Sequence, residues 1–173
     1  MNRDIHADGL RALAHPLRLR ILSLLTGAAM SAAEAARELG DSQANISYHL
    51  RRLHDAGLLD IVEEVSVRGG QAKRYRHDPD SGGRTCARGP DEQALLATIL
   101  AAELRRRTDY RLSGAPAAMT DAELWVDERT WQQVLAHARA LSLLLHNAAK
   151  PPRTRGTRRV SVTVSMFTMD PRR

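Results

Sequence analysis

The sequence predicts a mainly α-helical α+β fold, a winged helix-turn-helix followed by a long helix and a small C-terminal β-α-β unit. Two short helical patterns joined by a tight turn occupy residues 30–57. A strand pattern interrupted by paired glycines follows them, and a long amphipathic pattern begins at Pro90. The chain of 173 residues is 43% hydrophobic and 27% charged, which is typical of a globular protein with a real core.

The first helix of the pair has clear start and stop signals. Ser31 is a good N-cap, and Glu34 three residues later completes a capping box. The helix would bury Ala35 and Leu39 and end at Gly40, since glycine adopts the left-handed conformation of a helix end most easily.

The second helix of the pair is the predicted recognition helix, residues 42–56. Asp41 or Ser42 caps it, and Gly57 ends it. Its apolar residues recur at helical spacing: Ile46, Leu50 and Leu53. Two such helices joined by a tight turn present a helix N-terminus to the DNA major groove, so we expect binding to double-stranded DNA.

Two helical segments precede this pair. Residues 5–14 form a short amphipathic pattern, and Pro16 suits the first position of a second helix that extends to about Thr26. Arg18 and Arg20 on that helix are either solvated or in contact with DNA phosphates.

The recognition helix is followed by a predicted hairpin, residues 59–77. Apolar residues alternate along 59–67, Gly69-Gly70 indicates a turn, and a return strand rich in charge runs from Ala72 to His77. A hairpin in this position is a wing, which would bring Arg68, Lys73 and Arg74 at or near its tip to the DNA backbone or minor groove. The alternative is a solvated edge hairpin whose charges prevent aggregation.

With the apolar residues of the recognition helix facing the core, polar side chains lie at its start and on its outer side. Gln43 and Asn45 lie in the first turn, where an amide can pair with adenine, and Arg51 and Arg52 can pair with guanine or phosphate. His49 lies nearer the core side, so it is either a DNA contact or a packed, hydrogen-bonded histidine.

Three stretches of residues 8–78 together resemble the arsenic-repressor (ArsR) type of winged helix-turn-helix transcriptional regulators. They are LRALAHPLRLRIL, ELGDSQANISYHLRRLHDAGLL and the glycine-turned hairpin. The resemblance implies a homodimer that binds a near-palindromic operator and represses transcription until an effector binds. It places the recognition positions at Ser42, Gln43, Asn45, Ser47, Tyr48, His49, Arg51 and Arg52.

Many proteins of this type sense metals, but the sequence does not predict a metal site. Residues 31–39, where such sensors carry a cysteine pair, contain no Cys, His or Asp, and residues 91–107 contain no His. Soft divalent metals need several thiolate or imidazole ligands, and the histidines here show no such spacing. We therefore expect neither a metal nor another cofactor, and the effector, if the protein has one, is unidentified.

Composition excludes several other classes of protein. No apolar run is long enough to span a membrane and the N-terminus lacks a secretory signal, so a cytoplasmic protein is expected.

Cys86 is the only cysteine, and Arg84 and Arg88 beside it could lower the pKa of its thiol, so it is either incidental or a redox switch. No catalytic motif is present, so the chain is not expected to be an enzyme.

Net charge supports nucleic-acid binding only through local clusters. The whole chain is +6, but residues 1–79 carry 11 basic and 10 acidic side chains. Because the surplus lies in residues 80–173, the pairs and clusters on the recognition helix and wing matter more than the total.

Composition also divides the chain. Residues 1–79 would form the DNA-binding domain, residues 80–89 a linker, and residues 90–173 a region for dimerisation and for an effector. The linker lies in a stretch, 78–90, that contains Pro, Gly, Ser and Asp and has no apolar period. A long helix over 91–107 would pack on the first helix and its symmetry mate, or simply belong to the core. A strand at 122–126, a helix capped by Asp127 and a strand at 159–167 would then make the β-α-β unit.

The sequence therefore predicts a DNA-binding transcriptional regulator. The alternative from a different class is a winged-helix protein-interaction module that does not bind DNA. The basic loop at 150–159 could extend the DNA footprint or be solvated.

Overall fold

A computed structural model describes residues 12–13, 15–67, 70–77 and 90–171 of the chain. The described part contains five helices and one two-stranded antiparallel sheet, which confirms the predicted α+β class. In chain order they are α1 (Pro16–Gly27), α2 (Ala32–Leu39), α3 (Gln43–Asp55), β1 (Leu59–Val67), β2 (Gly70–His77), α4 (Pro90–Thr108) and α5 (Glu128–Ala148).

Several predictions fall outside the described residues. They are most of the helix predicted at 5–14, the wing residue Arg68, the linker at 80–89 and Cys86. Ala12 and Leu13 are described, and both are helical and buried.

The caps of α2 form as the sequence predicts. The Ser31 side chain accepts a hydrogen bond from the Glu34 backbone N–H at 3.3 Å, and the Glu34 carboxylate accepts one from the Ser31 N–H at 2.7 Å. The hydrogen bonds that the Glu34 carboxylate accepts from the Ser31 backbone N–H and from the Ser31 hydroxyl lower the pKa of Glu34 despite its partial burial, and nearby Arg74 lowers it further. Gly40 ends the helix with φ 68°, in the left-handed region.

Ser42, rather than Asp41, caps α3. The Ser42 hydroxyl accepts from the Asn45 N–H at 3.2 Å, while the Asp41 carboxylate accepts from the Ser42 N–H at 2.6 Å. The helix ends at Asp55, and Gly57 takes the left-handed conformation with φ 70°.

One hydrophobic core holds the three N-terminal helices and the hairpin together. Its largest fully buried side chains come from α1, from α3, and from the start of β1 and the residue before it: Ile21, Leu25, Ile46, Leu50, Leu53, Leu58 and Leu59. Each contributes roughly 1.5–3 kcal/mol through burial, so this cluster supplies most of the stability of the helix-turn-helix.

The hairpin is tied to the start of α2. Its strands pair from Leu59 opposite His77 to Val67 opposite Gly70. Met30 and Tyr75 exchange two backbone hydrogen bonds of 3.0 and 2.9 Å, so the residue before the N-cap of α2 pairs with β2. This bridge fixes the wing relative to the helix pair.

The long helix predicted at 91–107 forms as α4. Ile99 and Glu103 are buried, and Leu96 packs against the core cluster. The buried Glu103 carboxylate is satisfied by the Arg106 guanidinium, which donates at distances down to 2.8 Å.

Of the predicted β-α-β unit, only the helix forms. Its helix forms as α5, with the Asp127 carboxylate accepting from the Thr130 N–H at 2.7 Å. Residues 122–126 and 159–167 form no strand. A strand needs backbone partners, and within the described residues neither segment has a backbone hydrogen bond to another strand.

The C-terminal region nevertheless returns to the N-terminal core at one point. The Lys150 carbonyl lies directly against Gly27, where a Cβ would collide with it. Nearby, the His77 and His146 rings approach with centroids 5.5 Å apart, and Arg153 pairs with Glu38 at 2.7 Å.

None of the described helices is long and apolar enough to cross a membrane.

Candidate nucleic-acid interface

The outer face of α3 is polar and open. Its predicted core residues are fully buried, which turns the opposite side of the helix to solvent. Most predicted recognition residues are exposed there: Ser42, Gln43, Asn45, Tyr48, Arg51 and Arg52. Ser47 is half-buried.

A small polar network preorganises the first turn of α3. The Asn45 side-chain amide donates to both oxygens of Asp41 at 3.1 Å. This bond and the one from the Ser42 backbone lower the pKa of Asp41. The Asn45 amide is therefore held at the helix start, where it could exchange its carboxylate partner for a base edge or a phosphate.

Arg51 and Arg52 supply the positive charge of the α3 surface. Both side chains are exposed, and neither forms an ion pair with another described residue. An unpaired guanidinium keeps all its donors available for guanine or phosphate. Asp55 is exposed at the far end of the helix and would repel phosphate, so that end should lie away from the backbone.

The structure adds Arg18 of α1 to this surface. Burial lowers the pKa of Arg18, the nearby positive charge of Arg52 lowers it further, and Tyr48 opposes the change. Its Nε is buried and has no hydrogen-bond partner among the described residues. Two like charges thus lie close together across the α1–α3 contact, an arrangement that an anion between them would stabilise.

His49 lies inside the protein rather than on its DNA-facing surface. The residue is only 5% exposed, and its ring lies 4.6 Å from the His15 ring and 5.2 Å from the Tyr48 ring. Burial lowers the pKa of His49, His15 and Arg18 lower it further, and Asp41 opposes them. His49 is therefore a packed histidine rather than an exposed one. Its Nδ1 has no hydrogen-bond partner among the described residues.

Arg20, the other α1 arginine, has a structural partner. Its guanidinium donates to the Leu39 carbonyl at 3.2 Å and so closes the C-terminal end of α2. Arg18 and Arg20 therefore differ in role although they are two residues apart.

Two basic residues of the wing, Lys73 and Arg74, lie close to acidic side chains. Lys73 lies opposite Glu64, with their charged atoms 3.7 Å apart and both side chains about half exposed. Such an exposed pair is weak, so Lys73 can leave it for a phosphate.

Arg74 differs from the prediction that it lies at or near the wing tip. It lies in the body of β2, opposite Glu63, and donates to the Ala29 carbonyl at 2.6 Å. Its guanidinium is also within 3.4 Å of Glu34 and 3.5 Å of Glu63. Arg74 therefore joins the wing to the start of α2.

The basic loop at 150–159 is partly anchored to the protein. Besides the Arg153–Glu38 pair, the Arg159 guanidinium lies 5.4 Å from the centre of the Tyr110 ring, in a cation–π contact. These two arginines are engaged within the chain rather than freely solvated.

A cavity of about 360 Å³ lies between the end of α1, β2 and the end of α5. It is lined by polar groups: Thr26, Arg76, His77, His146 and Asn147. Such a lining could hold a small polar molecule. Within the described ranges, no three His, Cys, Asp or Glu side chains are grouped as metal ligands.

The sequence does not indicate that Arg18, rather than Arg20, lies beside the exposed face of α3. Nothing local distinguishes it from Arg20, because its proximity to Arg52 and Tyr48 arises from the packing of α1 on α3. Only the tertiary structure places Arg18 beside Arg52 and Tyr48 of α3.

Comparison with known proteins agrees with the geometry of the N-terminal half. Residues 13–62 match the helix-turn-helix domain family. A stretch of 57 residues, 32% of this chain, is 46% identical to the HTH-type transcriptional regulator YgaV of Escherichia coli (strain K12). The chain spans 58% of the length of that relative. The chain therefore contains a helix-turn-helix domain.

Proposed function

We propose that this protein is a sequence-specific DNA-binding transcriptional regulator of the ArsR type, which acts in the cytoplasm as a homodimeric repressor on an inverted-repeat operator. The observation that carries the proposal is the open polar face of α3. Its first turn presents Gln43 and Asn45, and its outer side presents Arg51 and Arg52, which form no ion pair within the described chain. The whole helix is supported by a fully buried apolar face. The similarity of the helix-turn-helix segment to a transcriptional regulator supports the same function.

In this proposal α3 lies in the major groove with its N-terminal half facing the bases. Gln43 and Asn45 read base edges, since side-chain amides pair well with adenine. Arg18 and Arg52 hold one backbone phosphate between them, which neutralises their mutual repulsion. Lys73 of the wing makes a second backbone contact, and Arg68 of the wing a third.

The alternative, a winged-helix module that binds only proteins, has less support. An interaction module does not need two exposed arginines, Arg51 and Arg52, that form no ion pair within the described chain, and it does not need Arg18 next to Arg52. We also propose that the chain is not an enzyme, because its sequence carries no catalytic motif.

The function is tested by selecting bound duplexes from a random pool at two salt concentrations. We expect an inverted repeat with half-sites about one helical turn, roughly 10 base pairs, apart. Binding should weaken steeply with salt, because phosphate contacts release counterions. Enrichment of no sequence by a folded protein would instead favour the interaction module.

The recognition surface is tested with the double variant Arg51→Ala/Arg52→Ala. We expect loss of specific binding with unchanged melting, since both side chains are exposed. The matched control is Arg129→Ala/Arg139→Ala, which removes two exposed arginines of α5 and the same net charge. Equal losses in both variants would mean that only overall charge matters, and an unaffected operator affinity would remove α3 from the interface.

The phosphate contact is tested with Arg18→Ala and with Lys73→Ala. Each should weaken binding by a similar factor on all duplexes and reduce the salt slope by about one. Arg18→Lys should restore part of the affinity. A changed base preference with an unchanged slope would contradict the assignment of these residues to the backbone.

A further inference from the structure

The last apolar stretch of the chain, residues 160–166, reads almost the same in both directions. Its sequence is VSVTVSM, with Thr163 at the centre. Residues equidistant from Thr163 are alike: Val162 and Val164, Ser161 and Ser165, Val160 and Met166. Apolar and polar residues alternate without interruption, which is the pattern of a strand with one buried face.

This stretch has no strand partner within the described chain. It forms no regular secondary structure and no backbone–backbone hydrogen bond there. Its four apolar side chains are between 41% and 69% exposed. A row of exposed apolar side chains beside unpaired backbone groups is a ready template for pairing with another strand.

We propose that residues 160–166 pair with the same residues of a second copy, as antiparallel strands related by a twofold axis at Thr163. A twofold interface must be self-complementary, because each residue of one copy meets its counterpart in the other. The palindromic sequence meets this condition: Val162 faces Val164 of the other copy, and Val160 faces Met166. The inference supplies a surface for the proposed homodimer but does not depend on DNA binding.

One polar contact indicates which edge of the strand is free to pair. Arg107 of α4 donates to the Val162 carbonyl at 3.1 Å and to the Thr163 hydroxyl at 2.8 Å. Alternate residues of a strand direct their backbone groups to opposite edges, so Arg107 occupies the edge of the valines. The free edge therefore carries the backbone groups of Ser161, Thr163 and Ser165. Thr163 would then form a hydrogen-bonded pair with its counterpart, with Cα atoms about 5.5 Å apart.

Charge favours the antiparallel orientation over the parallel one. Residues 160–166 carry no charge, whereas Arg158 and Arg159 immediately precede them. A parallel pair would place these arginines beside their counterparts. An antiparallel pair places them at opposite ends, and each Arg159 then lies across from Phe167, which is 72% exposed.

The remaining exposed apolar residues are available to cover the new ribbon. A two-stranded ribbon is marginal without a layer against its apolar face. No residue of α5 is buried, and Leu143 and Leu144 on it are exposed. Dimerisation would give these leucines and the valines a common partner.

The inference is tested by disulfide trapping in the full-length chain after Cys86→Ser. Thr163→Cys should give a disulfide-linked dimer under mild oxidation, because Cα atoms about 5.5 Å apart are within disulfide range. Ser161→Cys is the matched control. In the proposed register the two copies of that residue are four positions out of line, about 13 Å apart, so no cross-link should form.

Two more variants define the register. Ser161→Cys combined with Ser165→Cys should restore the cross-link, because residue 161 of one copy lies opposite residue 165 of the other in the proposed register. Cross-linking of Ser161→Cys by itself with an efficiency equal to that of Thr163→Cys would overturn the antiparallel register.

Measuring the oligomeric state by sedimentation is an independent test of the inference. Val162→Lys/Val164→Lys should convert the dimer to a monomer, because four ammonium groups would meet at the axis. Val62→Lys, at an exposed valine of the wing, should leave the dimer intact.

Two results would overturn the inference while separating it from the proposed function. If the wild-type protein is a dimer that Thr163→Cys does not cross-link, another surface forms the dimer, and the duplex selection above decides the function separately. If the wild-type protein is a monomer at high concentration, both the inference and the homodimer are wrong. Recovery of a single half-site in the selection would then still show DNA binding.

Discussion

Leu50 in α3 and Leu144 in α5 are both leucines within well-capped helices, yet the first is fully buried and the second is 66% exposed. The difference extends to the regions around them. Three helices and a hairpin share one core in the N-terminal half, whereas α5 buries no residue and Trp125 before it is 88% exposed. An apolar pattern thus specifies an element, but burial depends on a partner for that element.

The comparison also explains why the candidate interface lies where it does. The buried face of α3 holds the helix rigidly, so its polar face is presented in one orientation. Helix α5 and the segment after it have no comparable buried face in the described structure, and they reach α1, α2 and β2 through Lys150, Arg153 and His146. A surface that reads DNA needs a helix held in one orientation by a buried face. A surface that pairs with a second copy does not need such support before the two copies meet.

The largest effect should come from Leu50→Ala. This change removes a fully buried side chain from the centre of the N-terminal core, and we expect the free energy of unfolding to fall by about 2–5 kcal/mol. Leu144→Ala in the dilute monomer should change it by less than about 0.5 kcal/mol. Urea unfolding of both variants measures the contrast. Equal losses would mean that the C-terminal half has a core of its own.

The next largest effect should follow Gly27→Ala. The new Cβ would collide with the Lys150 carbonyl, a backbone atom that cannot turn away. Overpacking of this kind costs about 1–3 kcal/mol, or the segment after α5 must separate from α1. We expect faster tryptic cleavage after Arg153, with Ser23→Ala on the exposed side of α1 as the control. Cleavage at the wild-type rate would show that the two halves are not joined there.

A smaller effect should follow Ser31→Ala at the start of α2. The substitution removes the hydroxyl that accepts from the Glu34 N–H, and losing such a cap costs about 1 kcal/mol. Thermal melting, compared with Ser66→Ala at an exposed serine of β1, measures it. A decrease no larger than that of the control would mean that the capping box adds nothing to stability.

The smallest effect concerns pH and is confined to the N-terminal half. The pKa of His49 in the folded protein is lowered below 6.5, chiefly by burial, so the unfolded chain binds the proton more readily. The contribution of neutral His49 is therefore complete above pH 6.5 and is lost as pH falls from 6.5 towards the folded pKa. Urea unfolding between pH 8 and pH 5 should show this loss.

His49→Gln should reduce that pH dependence, whereas His137→Gln, at an exposed histidine of α5, should not. If both variants keep the wild-type profile, other groups cause the loss of stability in acid.

The elements of the N-terminal half were predictable because their signals are local. The Ser31–Glu34 box, the left-handed Gly40 and the helical spacing of Ile46 and Leu50 each act within a few residues. The cap of α3 shows the limit of prediction from local signals. Asp41 and Ser42 were equally suitable as N-caps by sequence, and the structure shows that Ser42 makes the capping hydrogen bond. Asp41 instead orients Asn45.

Several features of the candidate interface could not be predicted, since they depend on distant contacts. The sequence does not show that Arg18 lies near Arg52, that Arg20 closes α2, or that Arg74 joins the wing to Glu34. The strands expected at 122–126 and 159–167 failed for a related reason. Their alternation is real, but a strand forms only where another backbone accepts its hydrogen bonds.

The sequence by itself thus determined the helices, the hairpin and the polar side of α3, because capping, turn formation and amphipathic spacing are local. Tertiary structure decided which arginines remain free for an anion and which ones tie elements together, and it placed His49 inside. These outcomes depend on which helices pack together, and residues far apart in the chain make those contacts.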